Sequence, residues 1–173
     1  MKKFILTTFL IFVGSMLFAQ DRTSFGLTAG YANVDFNAKA DGSRISNADS
    51  GVYLGGLVDF SIAGSFHIQP EALFTLAEGK KFVSIPVLAK LYIADSGFHV
   101  MAGPQANILL EETFVTKGFG LDLTFGAGYD INEHLFLDAR YAFELTDRLK
   151  NASSTNNTEI RYRTFNVGIG YKF

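Results

Sequence analysis

From Ser24 to the last residue, Phe173, apolar side chains return at every second position in eight runs separated by polar breaks. A two-residue period builds strands with one apolar and one polar face, whereas a helix needs a period of about 3.6. The final run shows it most cleanly. Phe165, Val167, Ile169, Tyr171 and Phe173 alternate with Asn166, Gly168, Gly170 and Lys172. The runs are Ser24–Val34, Val52–Ile62, Phe66–Ala77, Phe82–Ile93, Phe98–Leu110, Phe119–Ile131, Leu135–Thr146 and Arg163–Phe173. Each is long enough for a tilted membrane-crossing strand, which needs roughly 9 to 11 residues.

The connections between runs alternate in length. Asp35 to Gly51, Glu111 to Gly118 and Asp147 to Ile160 are long or polar, whereas Ala63–Ser65, Ala94–Gly97 and Asn132–His134 are short. Glu78–Lys81 is a short link on the long side. An even-stranded barrel with both termini in the periplasm has this phase, with short inner turns and longer outer loops. Asn151 to Thr158 is a polar, low-complexity tip of one such loop. The expected fold is therefore all-β: a single eight-stranded antiparallel up-and-down transmembrane β-barrel.

The start of the chain reads as export. Met1-Lys2-Lys3, the uncharged stretch from Phe4 to Val13 and the small residue Ala19 give the basic, apolar and cleavage regions of a secretory signal. Residues 1–19 are assigned to the signal peptide and 20–173 to the barrel domain, with a mature start at Gln20 or Asp21. Without cysteine, lipid anchoring, disulfides and thiol catalysis are excluded. Removing Lys2 and Lys3 leaves 13 basic against 17 acidic residues, a balance that argues against nucleic acid as a partner.

The two faces of the strands differ in a way that fixes their direction. Nine glycines lie on the polar face (Gly26, Gly30, Gly55, Gly103, Gly120, Gly126, Gly128, Gly168 and Gly170), and only Gly56 lies on the apolar one. A narrow eight-strand lumen needs small residues opposite large ones; a solvated outer surface does not. The same face carries Asp59, Glu71, Lys90, Asp122, Asp138, Arg140, Glu144 and Lys172 in mid-strand, charges that must pair inside a small barrel. The apolar face is thus expected to meet lipid. Pro70, Pro86 and Pro104 fall inside three neighbouring strands at similar heights, so each must sit at a bulge or forgo a ladder hydrogen bond.

Several motifs together resemble a known family. Gln69-Pro70-Glu71, Ser84-Ile85-Pro86-Val87, Ala102-Gly103-Pro104, Phe125-Gly-Ala-Gly-Tyr129 and Asp138-Ala-Arg140-Tyr141 are similar to the PorT-type, or porin-family, outer-membrane β-barrel proteins. The resemblance covers nearly all of the mature chain. It implies an eight-stranded barrel resident in the outer membrane of a Gram-negative-type bacterium, with outer-membrane lipid as its surroundings. It also makes the prolines a family feature. The family's named member is linked to protein secretion and gliding.

The candidate functional residues are lumenal. Turning strands six and seven at Asn132 sets Arg140 level with Thr124, with Asp122 diagonal and Asp138 two residues away. Matching the lower rims places Gly168 across from Arg140. Glu71 is expected level with or one step from Lys90. These clusters are read as structural. Asp59 falls near His67 and His99 near Asp130, both inside the periplasmic mouth, where they read as polar pairs plugging the lumen, with a pH-sensitive or metal-binding mouth as the alternative. No cofactor or metal spacing occurs, since His67, His99 and His134 do not form a ligand pattern. An enzymatic site needs nucleophile and base together near the outer rim, and the outer connections contain no histidine.

These features favour a non-enzymatic structural or interaction protein whose outer loops meet an unidentified protein or surface ligand. A narrow porin-like channel for small solutes is the alternative, and a soluble ligand-binding barrel is less favoured. Phe173, Tyr171 and Ile169 form the terminal signal that barrel-assembly machinery is expected to read. Deleting Phe173 should sharply lower the folded, heat-modifiable form on gels; wild-type levels of that form would refute this role.

Overall fold

The computed structural model describes residues 23–40, 43–94, 96–110, 118–146 and 159–173, with side chains placed except at 37–47, 159 and 160. Residues 1–22, where a signal peptide is expected, most of the Glu111–Gly118 connection and the Asn151–Thr158 segment lie outside these residues. Eight strands follow in order: β1 Thr23–Ala40, β2 Ser43–Ala63, β3 Phe66–Ala77, β4 Lys80–Tyr92, β5 Phe98–Leu109, β6 Phe119–Asp130, β7 Leu135–Glu144 and β8 Glu159–Lys172. Each pairs antiparallel with the next, and β8 pairs with β1, which closes the barrel. Following the register once around leads from Gly51 through Ala32, Asn166, Arg140, Gly126, Met101, Lys90 and His67 to Ser61. The path returns to β2 ten residues further along, and that stagger is the shear that strand tilt requires for closure.

The apolar face points outward. Phe25, Leu54, Phe74, Leu91, Phe125 and Ile169 are all exposed. Arg140, Lys90, Asp138 and Glu71, by contrast, are no more than 4% exposed. No helix among the described residues is long and apolar enough to cross a membrane, as a barrel requires none.

The inward glycines are seats for large side chains. A Cβ on Gly170 would stand 2.1 Å from the Phe136 ring, one on Gly168 1.9 Å from the Tyr53 hydroxyl, and one on Gly128 2.5 Å from His99 Nε2. Gly56, on the lipid face, has nothing nearer than 3.9 Å. At the three inward positions glycine is the complement of a ring on another strand.

The prolines forgo hydrogen bonds and make no bulge. Val58, Pro70, Val87, Pro104 and Leu123 form one lateral row by register. Pairing lapses between Leu57–Glu71 and Phe60–Ile68, between Pro70–Val87 and Leu73–Ser84, and between Pro86–Gln105 and Ala89–Ala102. The register is the same on both sides of every lapse; the one shift falls at Ser61/Ala63, near the β2–β3 turn.

Two sequence expectations change. The Asp35–Gly51 segment is not a loop: β1 runs on to Ala40 and β2 starts at Ser43, with Ala40 paired to Ser43. Above the bilayer no apolar face is needed, so the period that marks a strand fades there. The Asp41–Gly42 dipeptide was the available signal, because Asp-Gly is a strong two-residue hairpin sequence. Likewise the β3–β4 link is only Glu78 and Gly79, both at positive φ (38° and 84°), so Lys80 and Lys81 belong to β4.

These seats predict opposite outcomes for one substitution on the two faces. Gly170→Val should cost about 1–3 kcal/mol or more by overpacking against Phe136. Gly56→Val should stay within about 0.5 kcal/mol of wild type. Urea unfolding in detergent micelles measures both.

Candidate functional site

The lumen is filled in layers, starting from the periplasmic mouth. The Asp59 carboxylate holds His67 through Nδ1 at 2.6 Å and accepts a hydrogen bond from Lys90 Nζ at 3.2 Å. Lys172 Nζ and the Tyr92 hydroxyl both donate to Asp130 Oδ2, at 2.7 and 2.9 Å. His99 Nδ1 stands 3.7 Å from Asp130 Oδ1. The Tyr92 ring lies between the two histidines, 4.8 Å from His67 and 4.9 Å from His99. The Phe136 ring, seated on Gly170, carries both ammonium groups on its face, Lys90 at 5.8 Å and Lys172 at 5.4 Å. Aromatic faces attract such cations, and this helps hold two like charges in one mouth. Both His–Asp proximities agree with the sequence reading.

The middle layer centres on Arg140. Its Nη1 donates to Glu71 Oε2 across the lumen and its Nη2 to Asp138 Oδ2 on its own strand. The neutral amide of Gln69 joins this layer to the mouth: it accepts from Lys90 Nζ at 2.9 Å and donates to Glu71. A continuous chain therefore runs from Asp59 through Lys90, Gln69, Glu71 and Arg140 to Asp138. Higher up, Asp122 accepts from Gln105 Nε2 at 3.1 Å and Asn107 Nδ2 at 3.2 Å, and Thr124 donates to Gln105. At the outer end the chemistry changes. Val34, Ala77, Phe82, Leu109 and Tyr162 form an apolar cluster inside the barrel, with Phe36 packed against it. The Asp49–Lys80 ion pair lies beside it, Asp49 level with Val34 and Lys80 with Ala77.

All five charged lumen residues singled out from the sequence are buried, but they associate differently. Arg140 is level with Gly126 and Asn166, not Thr124 and Gly168, and its partners are Glu71 and Asp138, not Asp122. Lys90 is level with His67 and binds Asp59; Glu71 lies further up the barrel. The cause is turn geometry. Asn132 Oδ1 accepts from the backbone N–H of His134 and Leu135, which makes a three-residue connection and moves the β6–β7 register by two. The tight β3–β4 turn shifts Glu71 away from Lys90 in the same way. Gln69, quoted only within the Gln69-Pro70-Glu71 motif, and Gln105 were given no lumenal role from the sequence; the available signal was an amide on the inward face beside a proline. At the rim, Tyr171 and Ile169 face outward, Phe173 is 71% exposed, and the Phe173 N–H donates to Phe25 O at 2.8 Å.

Burial makes these pairings costly to break. Arg140→Ala should destabilise by about 3–5 kcal/mol, the usual cost of stranding a buried partner. In double-mutant cycles Arg140 and Glu71 should couple by about 0.5–3 kcal/mol, whereas Arg140 and Asp122 should add within about 0.5 kcal/mol. Equal coupling to Asp122 would contradict the pairing.

The comparisons with known proteins agree with this architecture. A family model described as the outer membrane protein beta-barrel domain matches residues 5–173. No curated protein matches the sequence. Among solved structures, the outer membrane protein OprG from Pseudomonas aeruginosa is similar at a TM-score of 0.53 and 17% identity, covering 88% of this chain and 96% of that one. Neisserial surface protein A has a TM-score of 0.53 at 16% identity, covering 87% and 99%. Ail, the attachment invasion locus protein of Yersinia pestis, has 0.51 at 16% identity, covering 88% and 99%. At such identities the likeness is one of fold. With the family match spanning nearly the whole chain and the closed, outward-apolar barrel already described, the chain belongs to the outer-membrane β-barrel domain family and resides in the outer membrane of a Gram-negative bacterium.

Proposed function

We propose that this barrel is a closed, non-enzymatic scaffold that holds its outer connections at the cell surface to engage a protein or surface ligand. The observation that carries this reading is the double filling of the lumen. A hydrogen-bonded chain from Asp59 to Asp138 occupies its inner half, and an apolar layer of Val34, Ala77, Phe82, Leu109 and Tyr162 occupies its outer end. An ion crossing this interior must displace paired charges and then enter a dry constriction, two barriers of opposite chemistry. The lumenal clusters are structural in this account and keep the wall in register. The PorT-type motifs further suggest an accessory role in secretion or in the envelope. Barrel-assembly machinery reads the terminal strand ending at Phe173, and residues 1–19 direct export.

Planar-bilayer recording of the purified, refolded protein tests the closed state. No unitary current steps above the protein-free baseline are expected. Reproducible steps from the wild-type protein would replace this reading with the narrow-channel one.

A further inference from the structure

One group of buried polar atoms is left over when the lumenal pairings are complete. On β7 and β8, Asp138 faces Gly168 and Arg140 faces Asn166, a quartet of inward positions on adjacent strands. The Tyr53 side chain reaches this quartet from β2 and rests its hydroxyl on Gly168. Asp138 Oδ1, Arg140 Nε and Asn166 Oδ1 are all buried without a hydrogen-bond partner among the described residues, and Tyr53 Oη, beside the Thr28 hydroxyl, makes no hydrogen bond of good geometry. The four residues are between 3% and 8% exposed. Together they present two donors, the phenol O–H and the guanidinium Nε–H, and acceptors on the carboxylate and the amide.

We infer that this quartet is a buried hydration site, in which ordered water bridges Tyr53, Asp138, Arg140 and Asn166. Four unpaired polar atoms around one glycine is a density that native interiors avoid unless a small polar molecule completes the bonding. A water accepts and donates, usually making about three hydrogen bonds in such a place, and so fits a mixed donor–acceptor set. The site is enclosed. Tyr53 packs with Ala32 and Leu73 on one side. Leu57, Leu88 and Met101 are buried in the same interior. His99 Nε2 and Asp130 Oδ1 at the periplasmic mouth also lack hydrogen-bond partners, and there the Asp130 side chain is 18% exposed. Gly168 is what lets the Tyr53 hydroxyl reach these groups, since a Cβ there would collide with it at 1.9 Å. A guanidinium with each Nη on a carboxylate and its Nε on bound water has all three nitrogens engaged, which fixes its plane.

X-ray radiolytic footprinting of the mature protein in lipid reads this directly, because hydroxyl radicals formed from bound water oxidise the side chains beside it. Tyr53 and Tyr162 are equally buried, at 3% and 5% exposure, but Tyr162 lies in the apolar layer. Tyr53 should be oxidised several-fold faster than Tyr162, with incorporation of oxygen from isotope-labelled water. Equal rates would overturn the assignment. Asn166→Leu removes one ligand of the water and should lower Tyr53 oxidation several-fold while the barrel stays heat-modifiable. Undiminished labelling in a folded Asn166→Leu barrel would likewise overturn it. The wild-type comparison decides alone if that variant does not fold.

Discussion

A backbone inside hydrocarbon has no water to bond, so each N–H and C=O of a spanning segment needs a partner in the protein. Closing β8 onto β1 supplies those partners, and most other features of this structure follow from that closure. Eight strands at this stagger leave an interior just wide enough for side chains. That narrowness explains why glycine crowds the inward face, and why Tyr53, Phe136 and His99 each lie against one. The lipid face needs no such relief and carries large apolar groups.

The interior has the opposite difficulty: its charges must be satisfied without bulk solvent. The arrangement is a chain rather than isolated pairs, with the Gln69 amide transmitting hydrogen bonding between the Lys90 and Arg140 clusters. Removing one member strands its neighbours, which ties the mouth to the middle of the barrel. The proline row lies at the same level. Pro86 occupies the position across from Glu71, and Pro104 precedes Gln105, so the wall gives up ladder bonds beside its densest side-chain bonding. The outer end closes by the contrary means, with packed Phe82 and Tyr162 in place of charge.

The alternation of Phe165, Val167, Ile169, Tyr171 and Phe173, and its repeats upstream, was enough for strand number, strand direction and the assignment of faces. The His67–Asp59 and His99–Asp130 proximities were also legible, since each pair sits close to a periplasmic turn or on strands of matched length. Arg140 was recognisable as lumenal and as a neighbour of Asp138, but its partner across the barrel, Glu71, was not. Ion pairs across a barrel depend on register, and register depends on turns whose geometry a single amide can change, as Asn132 does between β6 and β7. A two-residue slip preserves every inward and outward assignment, so the apolar pattern is blind to it.

The sequence by itself therefore determined which face of each strand meets lipid, because burial in a membrane acts on every second residue and leaves a periodic trace. Only the tertiary structure decided which lumenal charges meet across the barrel: Arg140 with Glu71, Lys90 with Asp59. It also decided that β1 and β2 continue as a paired hairpin through the Asp35–Gly51 segment. Those outcomes depend on stagger, turn length and backbone pairing beyond the bilayer, and none of these requires an apolar period in the chain.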